Sequence, residues 1–206
     1  MAVVWTVARC DDGSMTVAAV VLAAGGGSRF EGPPHKLLAS VRGEPMVVRA
    51  VRTALGAGLD ETIVVAGAVD LAPALAAAGL AEEVTLVVNE RWAEGQATSL
   101  AAGIRVADGA AHDAVVVGLG DQPGVSSEAW QRVAAHQPDA SIVVATYGGQ
   151  RRNPVRLDRR IWPELPSEGD EGARVLLRRR PDLVVEVGCP GEPDDVDTLE
   201  DLERWS

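Results

Sequence analysis

Two cations and a run of glycines follow an apolar stretch in Val20-Val21-Leu22-Ala23-Ala24-Gly25-Gly26-Gly27-Ser28-Arg29, and Lys36-Leu37-Leu38 comes a few residues later. Glycines let backbone N–H groups converge on an anion without interference from Cβ, and Arg29 and Lys36 add full positive charge. That combination suits a polyphosphate. The plain structural alternative is a glycine turn joining a strand to a helix, with two solvated bases. Two better-known phosphate loops fail on position. Gly27 and Gly32 have the spacing of G-x-x-x-x-G, but Pro33 and Pro34 stand where Lys-Ser/Thr must follow. A dinucleotide fingerprint starting at Gly25 and Gly27 puts Phe30 at the third glycine position, where an aromatic ring blocks close helix–strand contact. A nicotinamide or flavin oxidoreductase thereby loses its main support in the sequence.

Acids stand at two further places. Gly118-Leu119-Gly120-Asp121-Gln122-Pro123 follows an apolar run, so Asp121 is expected at a strand end facing the ligand crevice. The competing reading is a turn or helix cap near Ser126. Asp194-Asp195-Val196-Asp197-Thr198-Leu199-Glu200-Asp201 is the second cluster. Asp197 with Glu200 fits a helix N-cap and its N3 partner. Capping needs one acid, whereas three precede the helix. A magnesium ion bound to phosphates commonly takes one or two protein carboxylates and fills its other sites with water and substrate, so Asp121 and Asp197 form the natural pair. In Asn89-Glu90-Arg91-Trp92-Ala93-Glu94-Gly95-Gln96-Ala97-Thr98-Ser99-Leu100, Gly95 permits a turn and Gln96, Thr98 and Ser99 offer polar groups at a helix start. Such groups suit ribose or base edges, or a helix cap; Trp92 reads as a packing anchor.

The elements that must position these residues follow from hydrophobic patterning. Continuous apolar β-rich runs at 17–22, 62–66, 84–88, 114–117 and 141–145 alternate with helical segments at 46–55, 71–78, 98–106 and 128–135. Continuous rather than alternating hydrophobicity means that both sheet faces are covered. The predicted fold is α/β, a single-domain doubly wound, mostly parallel sheet over residues 15–206, with a small β-hairpin insertion at 147–155. Short helices are expected at 158–165 and 170–180, a strand at 183–187 and a terminal helix at 198–205. Residues 1–14 read as an N-terminal extension, because Met15 is a second candidate start directly before the first strand.

The 206 residues carry a formal net charge of −11, which argues against nucleic-acid partners and anionic membranes and gives Arg29 and Lys36 local weight. Two cysteines and three histidines, without ligand spacing, leave no disulfide framework or zinc site in view. No apolar run reaches membrane-spanning length and no secretory signal pattern opens the chain, so a cytoplasmic location is expected.

Taken in order, these segments resemble the nucleotidyltransferases that complete molybdenum cofactors, with the likeness greatest to the molybdenum cofactor cytidylyltransferases. The matching residues are Leu22-Ala23-Ala24-Gly25, Ser28-Arg29, Lys36-Leu37-Leu38, Asn89, Trp92-Ala93-Glu94-Gly95, Ser99-Leu100 and Gly120-Asp121-Gln122-Pro123. Asn153-Pro154-Val155, Gly169-Asp170-Glu171-Gly172-Ala173-Arg174 and Asp195-Val196-Asp197-Thr198 with Glu200-Asp201-Leu202 complete the set, spanning about residues 17–202. Phe30 and Glu31 stand where Met and Gly are usual, Gln96 replaces an aliphatic residue, and Arg152-Asn153-Pro154 replaces Gly-His-Pro.

The resemblance implies a Rossmann-like nucleotidyltransferase fold and transfer of CMP from CTP to molybdopterin or the molybdenum cofactor, with release of pyrophosphate. It implies nucleotide contacts from Leu22, Ala23, Ala24, Gly25, Gly26, Arg29, Lys36, Asn89, Ser99 and Asp121. Arg29, Lys36 and Asp121 would be catalytic, Asp121 and Asp197 would hold Mg2+, and Asn153, Asp170 and Arg174 would touch the acceptor. The alanine-bearing loop accompanies cytidine enzymes in that family, so CTP is favoured over GTP. A molybdenum hydroxylase is the expected recipient of the product. Alternatives are a guanylyltransferase, a sugar- or polyol-phosphate nucleotidyltransferase, or a cofactor-binding chaperone without transfer.

Overall fold

The computed structural model describes residues 15–30 and 35–205; the expected extension over residues 1–14 lies outside them. Strand β1 (Val17–Ala23) leads to the two-residue strands β2 (Ser40–Val41) and β3 (Glu44–Pro45), then α1 (Met46–Leu55), β4 (Glu61–Ala66), α2 (Ala72–Ala77) and β5 (Thr85–Val88). Helix α3 (Gln96–Gly109), β6 (Ala114–Leu119), α4 (Ser127–Ala135), β7 (Ile142–Tyr147) and β8 (Gln150–Asp158) follow. The chain continues through α5 (Arg174–Arg179), β9 (Val184–Gly188) and α6 (Leu199–Glu203).

Seven strands form one sheet in the order β5-β4-β1-β6-β8-β7-β9. β5, β4, β1 and β6 are mutually parallel, β8 runs antiparallel to both its neighbours, and β9 is parallel to β7. Every residue of β1 is buried, which its unbroken apolar sequence demands of a strand covered on both faces. Alternation along β1 splits the core. Ala19 and Val21 face α1, α2 and α4, while Ala18 and Val20 face α3 together with Ile161, Trp162 and Leu176. The α/β fold with a mostly parallel sheet is as expected.

The 147–155 hairpin is larger than its turn residues suggest. Gly148 and Gly149 adopt positive φ at the turn, but β8 extends for nine residues and sits between β6 and β7 as a full member of the main sheet. Arg156 on β8 is completely buried, a position a patterning argument would give to an apolar residue. Its guanidinium donates to the carbonyls of Ala134 (2.7 Å), Gln137 (2.7 Å) and Ala140 (3.0 Å), the carbonyl-rich end of α4 and the loop beyond it. Burial pushes its pKa down, yet guanidinium stays charged, and those oxygens supply the compensation a buried cation needs.

Topology fixes where a ligand goes. The chain leaves β1 toward β4 and β5 on one side, then returns to β6 on the other, so the order reverses between β1 and β6. The crevice outside the carboxyl ends of those two strands is where the glycine loop and Asp121 emerge. No helix among the described residues is long and apolar enough to cross a membrane.

Candidate active site

The strand ends are tied before any ligand is considered. Gly120 N donates to Leu22 O (2.9 Å), and a Cβ at Gly120 would lie 2.9 Å from that of Ala23, so the acidic loop passes directly against the glycine loop. Ala23 is therefore wholly occupied in this contact, whereas Leu22, Ala24, Gly25 and Gly26 line a cleft of about 310 Å³. Gly26 lies against the indole of Trp92, where a Cβ would approach the ring to 2.9 Å. Trp92 also lines the cleft, so it is both the anchor expected of it and a wall of the cavity.

The C-terminal acidic segment reaches the same place. Val196 is fully buried beside Val41, Met46 and Trp205, and its N–H donates to Asp121 O (3.0 Å). That anchor sets Asp197 next to Asp121 across 75 intervening residues. Capping does not explain Asp197. The cap of α6 is Thr198, which accepts from Asp201 N (3.1 Å), while the Asp201 carboxylate accepts from Thr198 N (2.9 Å), a closed capping box one residue later than expected. Likewise Ser126 caps α4 and leaves Asp121 free of that task.

Lys36 joins the two acids. Its Nζ donates to Asp121 Oδ2 at 2.7 Å and to Asp197 Oδ1 at 3.1 Å, and Arg29 pairs with Asp197 Oδ2 at 3.0 Å. Burial opposes the Lys36 charge, but the two carboxylates outweigh it and hold the ammonium above its ordinary pKa. Arg29 remains three-quarters exposed and free to swing toward a ligand. Two carboxylates aimed at one point charge are an all-oxygen donor set suited to a hard divalent cation. Among the described residues no group of three or more acidic, histidine or cysteine side chains forms a closed metal cage. A cation held by Asp121 and Asp197 would therefore complete its shell with water and phosphate oxygens, as magnesium does.

The remaining sequence candidates divide. Asn89 is buried, and its Nδ2 donates to Thr98 Oγ1 (2.8 Å) and Ser99 Oγ (3.0 Å), so it positions Ser99, which lines the cleft. Asn153 and Arg174 line a second, larger cavity of about 940 Å³, while Asp170 lines the smaller cleft with Gly25 and Gly26. Gln122 received no separate role from the sequence, yet it links the parts. Its Nε2 donates to Asp195 Oδ1 (2.7 Å) and Pro193 O (2.9 Å), and its Oε1 accepts from Asn153 Nδ2 (3.3 Å). Burial raises the Asp195 carboxyl pKa and the nearby Asp121 charge adds to it, against the pull of that Gln122 bond. Arg151, Arg152 and Arg178 also line the larger cavity and were not singled out; only the Arg151-Arg152 pair at a hairpin tip could have signalled them.

Comparison with known proteins gives the family and supports the fold. The family model of the MobA-like NTP transferase domain matches residues 19–184. A protein of Paenarthrobacter nicotinovorans named nicotine blue oxidoreductase is 36% identical over 201 residues, covering 91% of this chain and 95% of its own. A nucleotidyl transferase from the genus Methanothermobacter superposes with a TM-score of 0.79 at 26% identity, covering 92% of this chain and 95% of its own. A Mycobacterium tuberculosis protein solved in complex with manganese superposes with a TM-score of 0.73 at 29% identity, covering 93% and 98%. The chain belongs to the MobA-like NTP transferase family, and that membership supports a nucleotidyltransferase with a nucleoside triphosphate substrate.

Proposed function

We propose that this protein transfers CMP from CTP to molybdopterin or its metallated cofactor and releases pyrophosphate. The observation that carries the reading is the convergence of Asp121 and Asp197 on Lys36 at the mouth of the glycine loop. An acceptor phosphate oxygen, already ionised at neutral pH, forms the new bond to the α-phosphorus as the α–β phosphoanhydride breaks, so no protein nucleophile is required. Lys36 and Arg29 trade their carboxylate partners for phosphate oxygens, while N–H groups of Gly25–Gly27 face the same charge. Bound by Asp121 and Asp197, a divalent cation such as magnesium supplies charge neutralisation to the phosphates. The manganese complex of the mycobacterial structure supports a divalent ion in this fold. CTP is favoured over GTP, the direct competitor, because the Ala23-Ala24-Gly25 loop resembles that of the cytidine enzymes.

The larger cavity suits the acceptor. Arg151, Arg152, Arg174 and Arg178 outnumber Asp194 and Asp195 in its lining, a local excess of positive charge in a protein of net charge −11 that favours a phosphate-bearing molecule. The name of the Paenarthrobacter relative offers a second reading, an oxidoreductase. The lack of a dinucleotide fingerprint at Gly25 speaks against it. Pure protein incubated with magnesium, molybdopterin and each triphosphate is expected to release pyrophosphate with CTP. Consumption of a reduced nicotinamide cofactor without pyrophosphate would instead establish the redox reading, and unchanged pterin with neither product a chaperone.

A further inference from the structure

Asp170 was expected on the acceptor side, and its position separates it from Asn153 and Arg174. Ala97 N donates to Gly169 O (2.9 Å) and Gly169 N to Glu94 O (3.3 Å), so residues 169–170 are pinned over the start of α3. Gly95 makes this approach possible: at φ +112° it carries no Cβ, and one built there would lie 2.8 Å from Asp170 Oδ1. The Asp170 carboxylate is exposed at the rim of the smaller cleft and makes no hydrogen bond or ion pair with any described residue. It is not a helix cap either, because α3 has no side-chain cap.

Charge in this cleft is one-sided. Its lining contains Asp121 and Asp170 and no lysine, arginine or histidine, while the cations Lys36 and Arg29 stand beyond Asp121. A triphosphate is therefore repelled from the Asp170 end and drawn to the Lys36 end, which leaves the nucleoside half in the cleft. Its lining includes the buried Leu22, Ala24 and Ser99, mostly apolar as a base requires. In the nucleoside half of the molecule the ribose diol offers paired hydroxyl donors to a carboxylate at this rim.

Resting on the nucleotidyltransferase reading above, we propose that Asp170 reads the nucleotide rather than the acceptor. Its carboxylate accepts a hydrogen bond from a ribose hydroxyl and so fixes which end of the nucleotide enters first. A carboxylate is the natural acceptor for a ribose diol, and the same charge rejects phosphate. Asp170 is on this account a specificity residue of the nucleotide site.

The test is direct binding, without acceptor, of CTP and GTP and their 2′-deoxy and 3′-deoxy counterparts to the wild type, Asp170→Asn and Asp170→Ala. The wild type is expected to prefer the ribonucleotide over at least one deoxy form by about tenfold, and Asp170→Ala to reduce that preference to within about twofold. Asp170→Asn keeps an acceptor oxygen and should fall between them. An unchanged preference in Asp170→Ala, or equal weakening toward all forms, overturns the inference while leaving the transferase reading intact. Failure of the wild type to bind any triphosphate overturns both.

Discussion

The two cavities that meet at Asp121-Gln122 differ in the charge of their linings. The smaller, outside β1 and β6, is walled by Gly25, Gly26 and Gly95 and has Asp121 and Asp170 but no cation in its lining; the larger, beside β8 and α5, sets four arginines against Asp194 and Asp195. Adjacent residues serve the two, since Asp121 lines one and Gln122 the other. The parallel half of the sheet thus offers backbone at close range, held by contacts such as Trp92 on Gly26. The antiparallel half offers long side chains on a hairpin and a short helix, several already engaged at their surface ends: Arg151 with Glu186 and Arg178 with Glu171. Recognition by backbone is rigid and tolerates little change of shape. Recognition by guanidinium is adjustable and lost one charge at a time.

The contrast breaks first at the hinge between them. Replacing Asp121 with Ala removes a phosphate-side carboxylate and the 2.7 Å partner of Lys36. The expected loss in kcat is about a thousandfold, read by pyrophosphate release; retained full activity would remove Asp121 from the mechanism. Lys36→Met sharpens the same point. In the protein without nucleotide the ammonium occupies the position between the two carboxylates, so its removal should let manganese bind about tenfold tighter in a direct titration, while turnover drops about a hundredfold. Equal manganese affinity in the two proteins would show that Lys36 does not compete for that position.

Shape and charge can then be tested one cavity at a time. Gly26→Ala pushes a methyl group to 2.9 Å from the Trp92 ring, an overfilling that should weaken CTP binding about tenfold and be partly relieved by adding Trp92→Leu. Arg174→Gln removes one cation from the larger cavity, with an expected rise of about tenfold in acceptor KM and no change in nucleotide affinity. If Arg174→Gln weakens CTP binding as much as acceptor binding, the division between the cavities does not hold.

The cleft outside β1 and β6 was far more legible in the sequence than the arginine-lined cavity beside β8, for a physical reason. A backbone that approaches an anion or another strand closely must carry glycine, and an acid at the end of a buried strand has few other tasks, so Gly25-Gly26 and Asp121 announce themselves. Helix α1 was also readable, at Met46–Leu55, because its apolar face repeats at helical spacing. Apart from the Arg151-Arg152 pair at the hairpin tip, nothing local distinguishes Arg151, Arg152 or Arg178 from ordinary surface arginines; their placement comes from β8 entering the sheet beside β6, a long-range pairing. Asp197 was readable as an acid but not as a free one, since Glu200 at its N3 position mimicked a capping box that Thr198 and Asp201 in fact form. Asp170 was assigned from its motif, and only the pinning of Gly169 to Glu94 and Ala97 shows which cavity it meets.

The last difference between the two halves is their response to pH, and it is the smallest. Arginines around the larger cavity keep their charge across the whole neutral and mildly acidic range. Under the glycine loop, by contrast, lies His35, whose Nδ1 accepts from Leu37 N (3.3 Å) and whose buried Nε2 has no hydrogen-bond partner. Burial lowers its pKa below the ordinary 6.5, opposed by the Gly26 and Gly25 backbone and reinforced by the Lys36 charge. The folded chain therefore resists a proton that the unfolded chain accepts. His35 contributes its full stability above about pH 6.5, and that contribution is lost as the pH falls toward the depressed folded value. Partial exposure keeps the effect small: between pH 7.5 and 5.5 the wild type should lose about 2 °C more in Tm than His35→Asn, whose amide oxygen can still accept from Leu37 N but cannot titrate. Parallel Tm curves for the two proteins would mean that protonation of His35 is as easy in the fold as outside it, and that the loop above it yields to the charge.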